Sequence, residues 1–502
     1  MAHRPAKIIL DGDSLTIEQL VSVAEQSSPV DISRKAIERV RNSRISLEKT
    51  IEGGGTIYGV NTGFGELQNT GIEPEQAGKL QENLVRSTSA GTGESLSRVE
   101  SRAVMLLRLN TLVKGYSGVR VEVVRLLRDM LNKGVHPMIP SRGSVGASGD
   151  LAPLAHMALV LIGEGMAEFE GRIMSGSSAL GKAGLEPLSL KHKEGLALIN
   201  GTQFMTALGA LAIHHIRMLQ EEAIVVFSMT LEALRGRTAP FDRRVASVRA
   251  HPGAARVAER VRRMSTGSRR TNTGSALQDP YTLRCAPQVM GPLRDMTDYC
   301  ESVIVTEMNS TTDNPIVFPD DMDVVSAGNF HGQPVAVALD AIGIPLQAVA
   351  SFSERRTARL TDSKLSGLSP FLSRNPGLES GYMVAQYTAA ALVSEGKVLS
   401  HPSSSDSIPT SANQEDYVSM GAYSAIKLKR MVENAYTVVA IEALCAAQAL
   451  DISGGPTAPR IARAHEIIRK IVPALDRDRE LSTEIRMCAD LLRKGALLDA
   501  LS

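Results

Sequence analysis

Residues 141–156 read Ser-Arg-Gly-Ser-Val-Gly-Ala-Ser-Gly-Asp-Leu-Ala-Pro-Leu-Ala-His, and their centre, Ala147-Ser148-Gly149, gathers residue types that could do chemistry. Glycines 143, 146 and 149 permit backbone shapes that residues with a Cβ resist. An apolar run over 151–162 follows, so the motif is expected on a loop feeding a helix N-terminus, where amides converge and the dipole favours negative charge. Three chemistries compete. A serine nucleophile needs Gly-x-Ser-x-Gly, but Ser148 is followed two positions on by Asp150, and Ser144 is preceded by Arg142. A phosphate loop needs Gly-Lys-Ser/Thr or G-x-G-x-x-G, and neither is present here. The third is self-modification. Attack of the Gly149 nitrogen on the Ala147 carbonyl, with dehydration of Ser148, gives an electrophilic 4-methylidene-imidazole-5-one. Ala and Gly leave room for that ring, and Ser supplies the β-hydroxyl.

The elements that must position this loop read as helices. With 502 residues, 43% apolar and 22% charged, the chain can bury a large core and reads as globular. A net charge of +1 offers no field to recruit nucleic acid or an anionic membrane. The scattered Cys285, Cys300, Cys445 and Cys488 contain no C-x-x-C, which argues for a reducing compartment and against disulfides or a zinc site. No metal is expected. The first seven residues do not resemble a signal peptide, and no apolar run is expected to span a bilayer, so the cytoplasm is the expected location. Residues 7–10 predict a strand. Ser14 or Thr16 is expected to cap a helix through 27, and Asp31 one running to about 51. Further helices are predicted over 75–87, 98–134 with a break at Gly115 and Gly118, 203–234, 333–361 with a kink at Pro345, 378–398, 415–450, and as a pair over 456–502. Residues 166–193 read as loop and surface. The expected division is 1–200, bearing the reactive loop, 201–450, a central helical bundle, and 451–502, C-terminal helices packing on it.

Other clusters have bland readings of their own. Tyr58 lies in Tyr-Gly-Val-Asn-Thr-Gly-Phe-Gly, a glycine-rich stretch after glycines 53–55 that predicts a mobile loop. Asn200 could simply begin a helix, Phe330 could be core, and Glu415 could be a helix N-terminal acid. Arg284, in Gln278-Asp279-Pro280-Tyr281-Thr282-Leu283-Arg284-Cys285, could be a surface salt bridge. Six arginines within 254–270 lack the interleaved aromatics of a nucleic-acid patch and read as a solvated helix face. His156, in an apolar run, reads as a core histidine.

Taken in order from about residue 8 to 500, these strings resemble the aromatic amino-acid ammonia-lyases. The resemblance rests on Gly-Ser-Val-Gly-Ala-Ser-Gly-Asp-Leu-Ala-Pro-Leu-Ala-His, the Tyr58 loop, the 278–291 stretch, Gly328-Asn329-Phe330-His331 and 403–416. It implies a mainly α fold: an elongated, aspartase-like central bundle, a smaller N-terminal domain and few strands. It implies a methylidene-imidazolone made autocatalytically from Ala147-Ser148-Gly149, with no external cofactor, and a homotetramer whose active sites are shared between subunits. Residue by residue, it makes Tyr58 the base for the substrate β-proton and places Asn200 beside the ring. It gives the substrate carboxylate to Arg284 and substrate positioning to Tyr281 and Gln278. Ser87 and Thr88 contribute to substrate choice, Phe330 lines the pocket, and Glu415 holds the amine or imidazole. Histidine lyases carry Ser-His where this chain has Ser87-Thr88, and often histidine where it has Tyr417. The expected reaction is L-histidine to trans-urocanate. The alternatives are a phenylalanine or tyrosine lyase, or a 2,3-aminomutase with the same ring. A silent helical oligomer, or an aspartase-like lyase, would leave Ser148 unmodified.

Overall fold

A computed structural model describes residues 6–54, 56–67 and 69–501. Residues 1–5 of the expected leaderless N-terminus, and Gly55 and Gln68 of the Tyr58 loop region, lie outside the described residues. The protein is mainly helical, with few and short strands. Of the boundaries expected at 200 and 450, Asn200 directly follows the Glu194–Ile199 helix, whereas residue 450 lies inside Gly421–Ile452. By packing, the chain forms two compact units. The first runs through His214 and adds Glu301–Leu339 and Pro402–Ile426; the second takes His215–Cys300, Asp340–His401 and the chain from Lys427 onward.

In the first unit, strand Ile8–Leu10 pairs in parallel with Val30–Ile32. Helix Ile17–Gln26 starts at a capping box between Thr16 and Gln19. Asp31 does not cap the next helix. It sits in the strand, paired with Lys7, and Ser33 caps Arg34–Glu52 by accepting from the Ala36 amide. Helix Arg98–Val113 is buried on every face and packs against Ile17–Gln26 and Val121–Lys133, so it is the core of this unit. Gly115 and Gly118 end it as expected, both at positive φ. Residues 166–193 are more ordered than their composition predicts. Met166–Phe169 and Arg172–Ser175 form an antiparallel hairpin, and Ser175 caps a helix over Gly176–Lys182. The turn at Glu170 and Gly171, both at positive φ, makes the hairpin possible where hydrophobic alternation is weak.

The second unit is a bundle. Parts of Gln203–Ala233, Gln333–Thr361 and Gly421–Ile452 meet at a buried ion pair. Arg356 Nε and Nη2 donate to the two Glu442 oxygens at 2.6 and 2.7 Å, both side chains are fully buried, and Thr230 Oγ1 donates to the same carboxylate at 2.7 Å. The Phe227 ring faces the guanidinium. Met383–Leu399 joins through Gln386, whose amide donates to Glu354.

Two helices correct the reading that no apolar run reaches membrane-spanning length. Gln333–Thr361 and Gly421–Ile452 are long and apolar enough by length and composition, but their most apolar stretches are 61% and 83% buried within the protein. Alanine-rich faces packed on several sides explain both properties.

Candidate active site

Strand Pro140–Arg142 pairs with Thr92–Ser95 and delivers the chain to the reactive loop. The loop is braced from inside. Ser144 Oγ accepts from the Gly146 amide and donates to Asp150 Oδ1 at 3.1 Å. Asp150 is buried and also accepts from the Met205 amide at 3.0 Å; burial pushes its carboxyl up to about 7. Ser148 has φ +51° and Gly149 φ +78°, both left-handed. Gly149 pairs with Gly201, Asp150 N donates to Gly201 O at 2.7 Å, and Gly201 N donates to Ser148 O at 3.3 Å. A Cβ on Gly149 would lie 2.9 Å from Gly201 Cα and closer still to its carbonyl, so only glycine fits against this strand.

Two side chains reach Ser148. Asn200 Nδ2 donates to Ser148 O at 3.2 Å, and Asn200 Oδ1 is buried without a protein partner among the described residues. Ser148 Oγ donates to Glu415 Oε1 at 3.3 Å. Glu415 does not open a helix. It sits in a loop before Gly421–Ile452, bridged to Thr410, whose hydroxyl donates to Oε2 at 2.6 Å.

Tyr58 follows the Arg34–Glu52 helix. Its hydroxyl accepts from the Gly65 amide at 3.0 Å, and its ring meets Phe64 edge-on. Burial pushes the phenol up, the Gly65 amide opposes this, and the Glu415 carboxylate adds to the rise. The described part of this loop is tied down despite its glycines. Ile57 and Val60 pack with Leu47 and Val317, and buried Gln81 donates to Gly59 O while accepting from the Leu196 amide.

Tyr58, Ser148, Asn200, Phe330 and Glu415 line one cavity of about 510 Å³ in the first unit. Ala147 and Gly149 flank Ser148 in the loop. Ser87 and Thr88 end the Ala77–Thr88 helix and do not line the cavity, whereas Leu84, one turn earlier, does. Gln278, Tyr281 and Arg284 belong to the second unit. There Arg284 lies over the Tyr281 ring at 4.7 Å and makes no ion pair among the described residues, and Tyr281 is 67% exposed. Among the described residues lining the cavity none is a cation. The residues not singled out from sequence include Leu84, Asn314, Gln414 and the clamp Gly201. Asn314 and Gln414 were visible as neighbours within the motif strings. Gly201 offered a signal only as a glycine beside Asn200. His156 behaves as a core acceptor: Nε2 takes the Gly91 amide at 3.1 Å, and burial lowers its basicity.

This fold and this cavity are those of a lyase. The aromatic amino acid lyase family matches residues 15–470, and the chain belongs to it. It is 50% identical over 498 residues to a histidine ammonia-lyase of Gloeobacter violaceus, covering 98% of this chain and 97% of that protein. It is 49% identical to one of Caldanaerobacter subterraneus subsp. tengcongensis, covering 99% and 98%. Among solved structures, histidine ammonia-lyase from Trypanosoma cruzi superposes with a TM-score of 0.92 at 42% identity, covering 99% of this chain and 95% of that one. Tyrosine aminomutase from Streptomyces globisporus gives 0.94 at 38%, covering 99% and 98%. The protein is therefore an enzyme, a carbon–nitrogen lyase of the ammonia-lyase type for aromatic amino acids.

Proposed function

We propose that the chain eliminates ammonia from L-histidine to give trans-urocanate, with a methylidene-imidazolone built from Ala147-Ser148-Gly149 and no external cofactor. The observation that carries the reading is Ser148. It is held in left-handed backbone, its carbonyl is gripped by Asn200 and Gly201, and its hydroxyl faces Glu415. Near-full-length similarity to proteins named histidine ammonia-lyase supports the substrate.

The residues fit the ring. Bonding of Gly149 N to the Ala147 carbonyl carbon expels that oxygen as water with the Gly149 and Ser148 amide protons. Ser148 loses its α-proton and hydroxyl as a second water. Once formed, the group supplies an electrophilic carbon that draws electrons from the substrate. The side chains do the rest. Glu415 and the unpartnered Asn200 Oδ1 take the cationic or imidazole end of the substrate. Phe330 supplies an apolar wall, and Tyr58 removes the β-proton. A phenol is a base only once deprotonated, and among the described residues lining this cavity none is a cation to help it. We assign that cation to Arg284 of another copy, which also binds the substrate carboxylate bidentately, with Tyr281 and Gln278 beside it. The reading is thus a homotetramer with shared sites. In the second unit Ile344, Val384, Tyr387 and Val398 are exposed apolar side chains suited to burial between copies. Ser87 and Thr88 tune substrate choice through the helix that carries Leu84. The four free cysteines fit a reducing compartment, and the cytoplasm is the proposed location.

The test is parallel ultraviolet and ammonia assays with L-histidine, L-phenylalanine and L-tyrosine. Urocanate from histidine alone supports the reading. Cinnamate or coumarate moves the enzyme to the phenylalanine or tyrosine lyases. A β-amino acid without free ammonia makes it an aminomutase, like the Streptomyces neighbour.

A further inference from the structure

One of the two donors that hold Ser148 O is the amide of the Asn200–Gly201 peptide. The other end of that peptide, Asn200 O, accepts from Arg108 Nη1 at 2.7 Å. Arg108 is fully buried, and the same Nη1 donates to Gln203 Oε1 at 2.7 Å. Its Nε and Nη2 have no protein partner among the described residues. Among the described residues no carboxylate pairs with it directly; the acid that acts on it, Asp313, is held by Lys193 at 2.6 Å, both side chains fully buried. Gly201 is pressed into this corner. At φ +146°, a Cβ there would lie 2.5 Å from Gln203 Oε1, 2.6 Å from Thr312 Oγ1 and 2.7 Å from Arg108 Nη1.

A guanidinium with no direct ion pair among the described residues therefore terminates a chain of three groups: Arg108 to Asn200 O, across one peptide, to Gly201 N–H and Ser148 O. We propose that Arg108 is a positioning residue for maturation: through the Asn200–Gly201 peptide it polarises the Ser148 carbonyl and acidifies the Ser148 α-proton that must leave. Charge-assisted hydrogen bonds are roughly twice as strong as neutral ones, and bonds in series polarise one another at low dielectric. Burial lowers the guanidinium to about 10, so it stays charged at neutral pH. The step balances without a co-reactant. The α-proton leaves, its electron pair forms the Cα=Cβ bond, the Cβ–Oγ bond breaks, and proton and hydroxide leave as water. The inference rests on the imidazolone reading above.

The test uses the full chain made in cell-free synthesis and sampled by intact mass over time. Gln203→Glu keeps the shape but places a carboxylate on Arg108 and cancels its charge. Gln203→Met removes the acceptor and leaves the charge intact. Loss of two waters is expected to be about tenfold slower in Q203E and no slower in Q203M. A purely structural role slows both, which overturns the proposal, and so does Q203E maturing as fast as the wild type. Arg108→Lys, which retains a cation, should mature faster than Arg108→Met; equal rates would count against the charge. Q203E also gives up the Gln203 Nε2 bonds to Thr111 and Thr312, so if it does not fold, judged by circular dichroism, the Arg108→Lys and Arg108→Met pair decides, and equal maturation rates there overturn the proposal. Wild-type protein at full mass sinks the imidazolone reading itself. Wild-type short by two waters with Q203E unaffected sinks only the role of Arg108.

Discussion

Gly149→Ala tests the clamp that shapes the reactive tripeptide. The new Cβ would lie 2.9 Å from Gly201 Cα, with the Gly201 carbonyl carbon and oxygen closer still. All three are backbone atoms, and Gly201 is itself fixed by the Asp150 amide at 2.7 Å, so no flexible side chain can yield. An L-residue at φ +78° adds about 1–2 kcal/mol of left-handed strain. Overpacking against a fixed neighbour adds about 1–3 kcal/mol. The sum is a loss of about 2–5 kcal/mol if the bridge survives. The chain can instead release the bridge, which takes Gly201 N–H away from Ser148 O. Either route prevents correct placement of the residue 149 nitrogen against the Ala147 carbonyl. The assay is paired: denaturant unfolding for stability and intact mass for maturation. G149A is expected to be destabilised by at least about 2 kcal/mol and to remain at full mass. A variant within about 0.5 kcal/mol of wild type that still loses two waters would refute the reasoning, because the clash would then be relieved at no cost to the site.

Tyr58→Phe removes the proposed base and is expected to lower kcat by about 10²–10⁴ with KM little changed in steady-state assays; a KM effect alone assigns the phenol to binding. Arg284→Met should raise KM for any α-amino acid and move the activity rise with pH to higher pH, because Tyr58 loses its cation; an unmoved profile separates the two residues. Thr88→His should increase turnover of histidine relative to phenylalanine, and an unchanged ratio shifts the choice to Phe330 and Glu415. Asp150 carries a stability test with a definite sign. Its carboxyl is raised to about 7, so its contribution is present below the unfolded value near 4 and lost as pH rises through 7. Asp150→Asn should therefore flatten the fall in Tm between about pH 4 and 7, and an equally steep fall would place the titration elsewhere.

What the sequence shows of this site depends on where the information lies. Dense strings around Ser148, Tyr58, Phe330 and Glu415 name residues that do share one cavity, because side-chain identity was enough to flag them. Their supports were not legible. Gly201 meets Ser148 through its backbone amide and Arg108 meets Asn200 through a backbone carbonyl, and any sequence has many glycines and arginines. The Ser33 cap, in place of Asp31, turned on whether residues 30–32 pair as a strand, which local pattern does not reveal. Glu415 looked helical because apolar periodicity begins nearby, yet the Thr410 bridge holds it in a loop. The hairpin over 166–175 was hidden by short strands and weak alternation, with its turn written only in Glu170-Gly171.

On the proposed reading, charge is the argument that the cavity is only part of the site. An α-amino acid brings one ammonium and one carboxylate. In the proposed reading Glu415 and Asn200 Oδ1 answer the ammonium, but none of the described lining residues is a cation to answer the carboxylate. The same lack is felt at Tyr58, where burial and Glu415 raise the phenol and only the Gly65 amide opposes them. A substrate carboxylate entering unpaired would raise it further, so binding would disable the base. One added cation resolves both problems, since it pairs with the carboxylate and favours the phenolate. Arg284 is suited to this: among the described residues it makes no ion pair and its Nε is unpartnered, and it lies over the exposed Tyr281 of its own motif. In the proposed reading that cation is Arg284 of another copy of the chain. Assembly is then a condition for catalysis, and a monomeric variant that keeps its imidazolone should be unable to turn over substrate.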